Sequence, residues 1–413
     1  MSSFRFLHAA DLHLDSPLRG IERYEGAPVE AIRNATRRAF ENLVATAIAE
    51  SVAFVILAGD VFDGDWRDFN TGLFFARQLR ALGDAGIRVY LLAGNHDAAA
   101  HMTRQIEWPA NVTVFATKAP QSVVDEATGA VLHGQGFPTR AVEHDLAAGY
   151  PVAHRGALNI GVLHTALEGR DGHERYAPCT TAGLRAKGYD YWALGHVHAR
   201  EVVAEAPWIV FPGNLQGRHI RETGSKGATL VTVEDGIVAS VEHVALDVLR
   251  WTVITVDVAD AKSRDAALDQ ARHALARARD VAEGRTLVAR VVLAGRSDVD
   301  AALRSDREAA LAALRDEANA LGEVWIESLR LATSSNLGGT GKDLIDALAL
   351  DDTALRANVL ASVQDDELRL LGAVQDEHED RDGLLRTLLD EARELAVRRL
   401  LDAAASPGRG TSR

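Results

Sequence analysis

The chain has a single cysteine, Cys179, among 413 residues, two methionines, and only five lysines among its 45 basic residues. One thiol cannot close an internal disulfide, so a disulfide-stapled scaffold is excluded and no oxidising compartment is required. No run approaches the roughly 20 consecutive apolar residues that cross a bilayer. No signal-peptide layout precedes the first strand-like run, so the chain reads as cytoplasmic, with no membrane partner. Positive charge is short too: 45 Lys+Arg stand against 59 Asp+Glu, a net charge of -14. Residues 1–245 carry 22 basic against 28 acidic side chains, so no basic nucleic-acid module hides in that part. A polyanionic substrate would need local arginines, bound metal ions or a partner protein. What is present is ordinary for a globular protein, 47% apolar and 25% charged, which excludes disordered and collagen-like chains. The length suits two or three domains.

Thirteen of the 15 histidines lie at or before His243, so a metal or acid–base site belongs to the first 245 residues. There, Phe4–Ala10, Ala53–Ala58 and Val89–Ala93 are strand-length apolar runs, each stopping at Asp or Gly. Ala31–Ser51 spaces Phe40, Leu43, Val44, Ala47 and Ile48 as one helical stripe, and Asp68–Leu82 predicts a second helix. Strands follow at Leu158–Leu163, Tyr189–Leu194, Trp208–Phe211, Ala228–Val233 and Ile237–His243. Strand–helix–strand order, then mostly strands, suggests an α/β sandwich with parallel sheet. From about residue 247, strand Trp251–Val258, helix Ala261–Ala282, strand Thr286–Leu293, helix Val299–Leu321 and strand Val324–Leu331 read as a small βαβαβ domain. Thr333–Lys342 has linker composition. Leu344–Ala405 is nearly all helix former, and Ser406–Arg413 is expected to be a disordered tail.

Five short motifs close predicted strands: Asp11-Leu12-His13, Gly59-Asp60-Val61-Phe62-Asp63, Gly94-Asn95-His96-Asp97, His164, and Gly195-His196-Val197-His198. Strand ends in α/β folds are where sites collect. Carboxylate and amide oxygens mixed with imidazole nitrogens suit borderline divalent ions such as Mn²⁺, Fe²⁺ or Zn²⁺, and no thiolate takes part. The set supplies ligands for two ions: Asp11, His13 and His198 for one, Asn95, His164 and His196 for the other, with Asp60 bridging. Two such ions suit an in-line phosphoryl displacement. His96, next to a ligand, is placed to act on substrate, with Asp97 expected to orient its ring. Glycines 59, 94 and 195 would let the backbone turn close to the ions. Each motif alone is weak; five in order, with complementary ligand types, are not.

The ordered set resembles the signature of the calcineurin-like metallophosphoesterases, D-x-H, G-D-x-x-D, G-N-H-D, H and G-H-x-H. Within that superfamily the sequence is similar to the SbcD-type DNA repair exonucleases and their YhaO-like branch. The supporting stretches are Ala10–Leu18, Gly188–His198, Pro212–His219 and Glu222–Gly227. The resemblance implies a four-layer α/β/β/α sandwich over residues 1–246, a small α+β capping, DNA-recognition domain over 247–332, a linker over 333–343 and a partner-binding helical segment over 344–405. It also implies a dimetal, Mn²⁺-dependent DNA phosphodiesterase, exonucleolytic with endonuclease activity as the lesser expectation. Such a protein works in DNA repair as a homodimer beside an SMC-like coiled-coil ATPase. Some branches carry a histidine three residues after the bridging aspartate, where this chain has Asp63, so no second catalytic histidine is carried over. The rivals are a phosphatase or small-molecule phosphodiesterase of the same superfamily, which the acidic charge favours mildly, and a non-catalytic scaffold for the ATPase.

Other residues have plainer readings. Gln216, Arg218, His219 and Arg221 sit on a Gly-rich loop that either touches phosphate or is simply solvated. Asp15 and Asp63 either assist the metals or serve turns. His133 and Cys179 are expected to be structural. The apolar residues of Asp68–Leu82 are too many for one stripe, which fits a dimer contact or a buried helix equally well. Asn336–Asp343 mimics a phosphate-binding loop but has Asn and Asp where Gly and Ser or Thr are needed, so no nucleotide cofactor is expected.

Overall fold

The computed structural model describes residues 3–16, 34–63, 69–99, 107–169 and 176–335. The expected phosphate-loop mimic, partner-binding helices and tail, at 336–413, lie outside the described residues.

Two six-stranded sheets carry the first part of the chain. In the first, β1 (Phe4–Ala9), β2 (Phe54–Ala58), β3 (Arg88–Leu92) and β4 (Val112–Val114) run parallel. Strand β11 (Gly227–Glu234) pairs antiparallel with β1 and is itself edged by β12 (Ile237–Ala245). The second has the order β5 (Gln121–Val124), β6 (Val131–Gly134), β7 (Asn159–His164), β8 (Tyr191–Gly195), β10 (Trp208–Phe211) and β9 (Glu201–Glu205).

Alternation along the strands explains why the sheets stack. Phe6, Phe54, Ile56, Tyr90 and Leu92 of the first sheet meet Leu132, Ile160, Val162, Tyr191, Ala193 and Val210 of the second in one fully buried core. The intervening residues Leu7, Val55, Leu57, Val89 and Leu91 point the other way, onto helices Ala35–Ala49 and Phe69–Asp84. On the far face of the second sheet, Leu163, Trp192, Leu194, Ile209 and Phe211 pack against Leu146, Tyr150 and Leu184, the last from helix Thr181–Ala186. This is the expected four-layer α/β/β/α arrangement.

The helix Phe69–Asp84 settles into burial on both sides: Phe75, Leu79 and Leu82 are buried, and Phe74 lies under the guanidinium groups of Arg37 and Arg77, 5.3 and 5.7 Å from its ring centre. Of this set, Leu73 stays exposed.

A three-stranded sheet follows, in the order β13 (Leu249–Asp257), β14 (Thr286–Arg296), β15 (Val324–Ser334). Helix Arg264–Val281 joins the first two strands. The helix expected over Val299–Leu321 is broken into Asp300–Ser305 and Arg307–Leu321. Asp306, at φ -141°, leaves the helical region and breaks it. Because β15 reaches Ser334, the expected linker does not begin at 333. The described residues form two compact units drawn from alternating stretches of sequence: those up to Ile254 with Arg272–Val291 and Leu314–Ser328, and Thr255–Ala271 with Val292–Ala313 and residues 329–335. Among the described residues, no helix is long and apolar enough to cross a membrane.

Candidate metal centre

Five loops at the C-terminal ends of β1, β2, β3, β7 and β8 bring the motif residues together. Asp11 and His13 follow β1, Asp60 follows β2, Asn95 and His96 open the short helix Asn95–Ala99 after β3, His164 ends β7, and His196 and His198 follow β8. The loops are laced by main-chain bonds: Asp11 N–H donates to Gly59 O at 3.0 Å and His13 N–H to Asp60 O at 3.1 Å. Asp11, His13, Asp60 and His196 take positive φ of 52°, 42°, 51° and 100°, a region costly for residues with a side chain. Gly94 lets its strand end pass directly against Asp60. A Cβ there would press on Asp60 Oδ1 and stand 2.7 Å from the Asp60 backbone nitrogen. Gly94→Ala is therefore expected to displace the Asp60 carboxylate and lower metal-dependent turnover at this centre by about 10²-fold, the scale of an ångström-sized misplacement. Titration calorimetry with a divalent cation would show the matching loss of affinity, and unchanged affinity would refute it.

Three overlapping groups of donor atoms result, each within 4.8 Å: Asp11, His13 and His198; His13, Asp60 and His96; Asp60, His164 and His196. Hydrogen bonds behind the rings fix which nitrogen each turns inward. His164 Nδ1 lies 3.0 Å from Ala58 O, a carbonyl that can only accept, so Nδ1 carries the proton. Its Nε2 then faces Asn95 Oδ1 at 2.9 Å and Asp60 Oδ2 at 3.4 Å. His198 Nδ1 likewise donates to Glu222 Oε1 at 2.7 Å, leaving Nε2 3.2 Å from His13 Nε2. Inward ring nitrogens and carboxylate oxygens thus converge on one small space, and the buried His13 Nδ1 has no hydrogen-bond partner. Such a cradle fits cations, and its N/O donors suit borderline divalent ions.

Burial would lower His164, but the Asp60 carboxylate outweighs it and raises the imidazolium to about 9, so a proton on Nε2 competes with a cation for the Asp60 carboxylate. Burial, then the Arg218 charge, lowers His13 to about 3, so its ring is neutral. Asp60 is held well below the usual carboxylate range: its burial opposes this, and His164 prevails. Burial raises Asp11, whose oxygens accept the His196 N–H at 3.0 and 3.2 Å.

Several expectations change. Asp97 does not orient His96. Its carboxylate accepts the backbone N–H groups of Phe62 and Gly94 at 3.0 Å and Val61 at 3.2 Å, tying two metal-centre loops together. Burial, then the neighbouring Asp60 charge, pushes it up to about 6. Asp63 takes the orienting place, its Oδ1 3.3 Å from His96 Nδ1 and 3.5 Å from His13 Nδ1. Asp15 is engaged by Arg37 and the Thr71 hydroxyl.

Gln216 is no substrate contact: it is buried, donating to Gly217 O and Leu249 O and accepting from Val248 N–H and Leu249 N–H. Arg218 stands behind His198, 3.3 Å from its Nδ1 and 3.0 Å from Glu222 Oε1. His219 lies 3.6 Å from the same carboxylate. Glu222 was given no role by its sequence, yet it gathers His198, Asn214 and Arg218. Its signals were an acid closing the run Arg218-His219-Ile220-Arg221 and its place at the head of the Glu222–Gly227 stretch.

His133 is structural, 2.8 Å from Ser122 Oγ, 3.1 Å from Asn159 Oδ1 and stacked on Tyr189. Cys179 is buried beside the Thr165 hydroxyl, and that burial pushes its thiol up to about 12, beyond nucleophilic use.

Comparison with known proteins matches this geometry. A family model described as calcineurin-like phosphoesterase fits residues 4–200, and one described as metallophosphoesterase YhaO, middle domain, fits residues 251–334. The chain is 38% identical over 299 residues to the uncharacterized metallophosphoesterase YhaO of Bacillus subtilis (strain 168), covering 71% of this chain and 72% of that protein. It is 24% identical over 273 residues to the DNA double-strand break repair protein Mre11 of Sulfurisphaera tokodaii, covering 62% and 66%. Against a subunit of the nuclease SbcCD of Escherichia coli (strain K12) it is 29% identical over 284 residues, covering 59% and 68%. With converging donor atoms at five strand ends and these matches, the chain belongs to the calcineurin-like metallophosphoesterases, YhaO type, a family of phosphoester hydrolases that use two divalent metal ions.

Proposed function

We propose that the chain is a DNA phosphodiesterase of the repair-nuclease kind, working with two Mn²⁺ ions. The observation that carries this is the run of three donor groups, joined through His13 and Asp60, with His96 in the middle one. Support for DNA as substrate comes from the relatives named for double-strand break repair and for SbcCD nuclease. In this reading Asp11, His13 and His198 would hold one ion and Asn95, His164 and His196 the other, with Asp60 shared between them. The chemistry this would supply is a nucleophile at neutral pH and charge stabilisation for an in-line displacement. The protein's own part is positional. With Asp63 Oδ1 3.3 Å from its Nδ1, the His96 ring in its doubly protonated form would donate its Nε2 proton to the departing oxygen and be left neutral. Glu222 and Ala58 O hold the His198 and His164 rings with Nε2 of each turned inward.

Further parts of the reading are a homodimer, an SMC-like ATPase partner and a cytoplasmic location. With a net charge of -14, affinity for DNA without that partner should be low and steeply salt-dependent. The same charge favours the second reading, hydrolysis of a small phosphodiester or monoester.

The test compares Mn²⁺-dependent cleavage of end-labelled duplex DNA, bis-p-nitrophenyl phosphate and p-nitrophenyl phosphate. DNA and diester cleavage are expected, and monoester turnover alone would overturn the proposal. Metal should also stabilise: Mn²⁺ at about 100-fold its dissociation constant adds about 2.7 kcal/mol per site, readable as a saturable rise in melting temperature that EDTA reverses. A melting temperature indifferent to Mn²⁺ would count against the centre.

A further inference from the structure

We infer that the edge of the sandwich between β9 and β12 holds an oxyanion of the phosphate type, clasped by Arg200, Thr229 and His243. This site shares no residue with the metal centre and does not depend on the substrate reading above.

Thr229 on β11 pairs in register with His8 on β1 and with His243 on β12, so the three side chains stand in a row on one face. That face looks into the sandwich, since His8 Nδ1 meets the Tyr191 hydroxyl of the second sheet at 3.0 Å. Arg200 immediately precedes β9, the edge strand of that second sheet. Val238 and Val241 of β12 pack into the same core as Trp208 and Val210 of β10, the neighbour of β9, so this end of the second sheet lies over β12, and the Arg200 charge acts on both His8 and His243. In this one region three buried polar atoms have no hydrogen-bond partner: Arg200 Nε, Thr229 Oγ1 and His243 Nδ1. Unpartnered buried groups are costly, and three together call for a shared ligand.

The chemistry of the set selects it. Arg200 Nε–H and the Thr229 hydroxyl donate. His243 Nε2 is already occupied by Ser225 Oγ at 3.0 Å; when that hydroxyl donates, Nδ1 carries the proton and donates inward as well. The charges around His243 are Arg200, Lys226, Arg250 and Asp247, and Asp247 is itself consumed by Arg250 at 3.0 Å and Arg285 at 2.9 Å. Donors with a surplus of positive charge fit an anion, and a guanidinium suits a tetrahedral oxyanion. Thr229 forms a buried floor, Arg200 and His243 are half-buried walls, and Ser225 is an exposed rim, so the site opens to solvent.

The test uses metal-free, EDTA-treated protein, so that the metal centre cannot hold the anion. Inorganic phosphate is titrated at fixed ionic strength while the melting temperature is followed. Wild type should show a saturable rise of several degrees. Arg200→Gln and the near-isosteric Thr229→Val should fold, melt at or above the wild-type temperature without phosphate, and lose the rise. A flat wild-type titration, or rises in both variants equal to wild type, would overturn the inference. Anisotropy of a labelled DNA duplex then separates the sources of the oxyanion. Several-fold weaker binding by Arg200→Gln assigns the site to a backbone phosphate, and equal binding assigns it to a free phosphate-type ion.

Discussion

Asp60→Asn is expected to lower Mn²⁺-dependent cleavage of bis-p-nitrophenyl phosphate by on the order of 10³-fold, about 4 kcal/mol in the barrier. Asp60 is the one residue that borders both the His13–His96 and the His164–His196 groups of donors. Its Oδ1 accepts the His96 N–H at 3.0 Å while Oδ2 lies 3.4 Å from His164 Nε2. Asparagine keeps the shape and can keep the His96 bond through its carbonyl. It removes the charge and turns one end of the group into a donor, which faces the rings the wrong way round. The fold should survive, because the strands beneath are held by the buried apolar cores. Circular dichroism and Mn²⁺ calorimetry on the same sample make the comparison clean. Turnover within tenfold of wild type would remove Asp60 from the bridging position.

Glu222→Ala is expected to cost about 3–5 kcal/mol of stability, the scale for stripping the partner from a buried charge. For a unit of this size that is a melting shift of roughly 6–20 °C. Glu222 is 6% exposed and accepts from His198, Asn214 and both the backbone and side chain of Arg218. Arg218 holds Glu222 well below the usual carboxylate range, against the pull of burial. Glu222→Gln divides the two roles. It keeps an acceptor for His198 Nδ1 but no charge for Arg218, so it should lose stability while retaining most of the metal affinity. The alanine variant should also lose about 10- to 100-fold in Mn²⁺ affinity, because His198 is no longer oriented. An alanine variant that melts with wild type would show the ion pair to be dispensable.

The strand ends and their donors were legible because chemistry and position coincide there. A carboxylate or imidazole that stops a Val/Ile/Leu run has few structural reasons to be present. The same logic misled at Asp97, which stands beside His96 in the sequence but spends both oxygens on backbone N–H groups from two other loops. No pattern of side chains announces a bond to main chain. Asp63, distant in sequence, took the place instead. Gln216 failed for a related reason, since a buried amide pinning one loop to the start of β13 looks like a phosphate contact when only its neighbours are read. Strands β4, β5 and β9 carry no predicted strand because all three are short edge strands with partly exposed faces, so none produces a long apolar run. The break at Asp306 escaped because its surroundings are good helix formers and one aberrant dihedral carries no strong composition signal.

The left-handed backbone at Asp11, His13, Asp60 and His196 has a consequence for how such a chain can change over time. Each position holds about 1–3 kcal/mol of conformational penalty. Glycine would relieve that penalty and delete a donor in one step. Selection for thermal endurance alone would therefore drift toward dismantling the centre, and only selection for turnover keeps these side chains in place. A variant pool enriched by heat and left unchecked for catalysis would accumulate glycine at these four positions before it improved the cores beneath them.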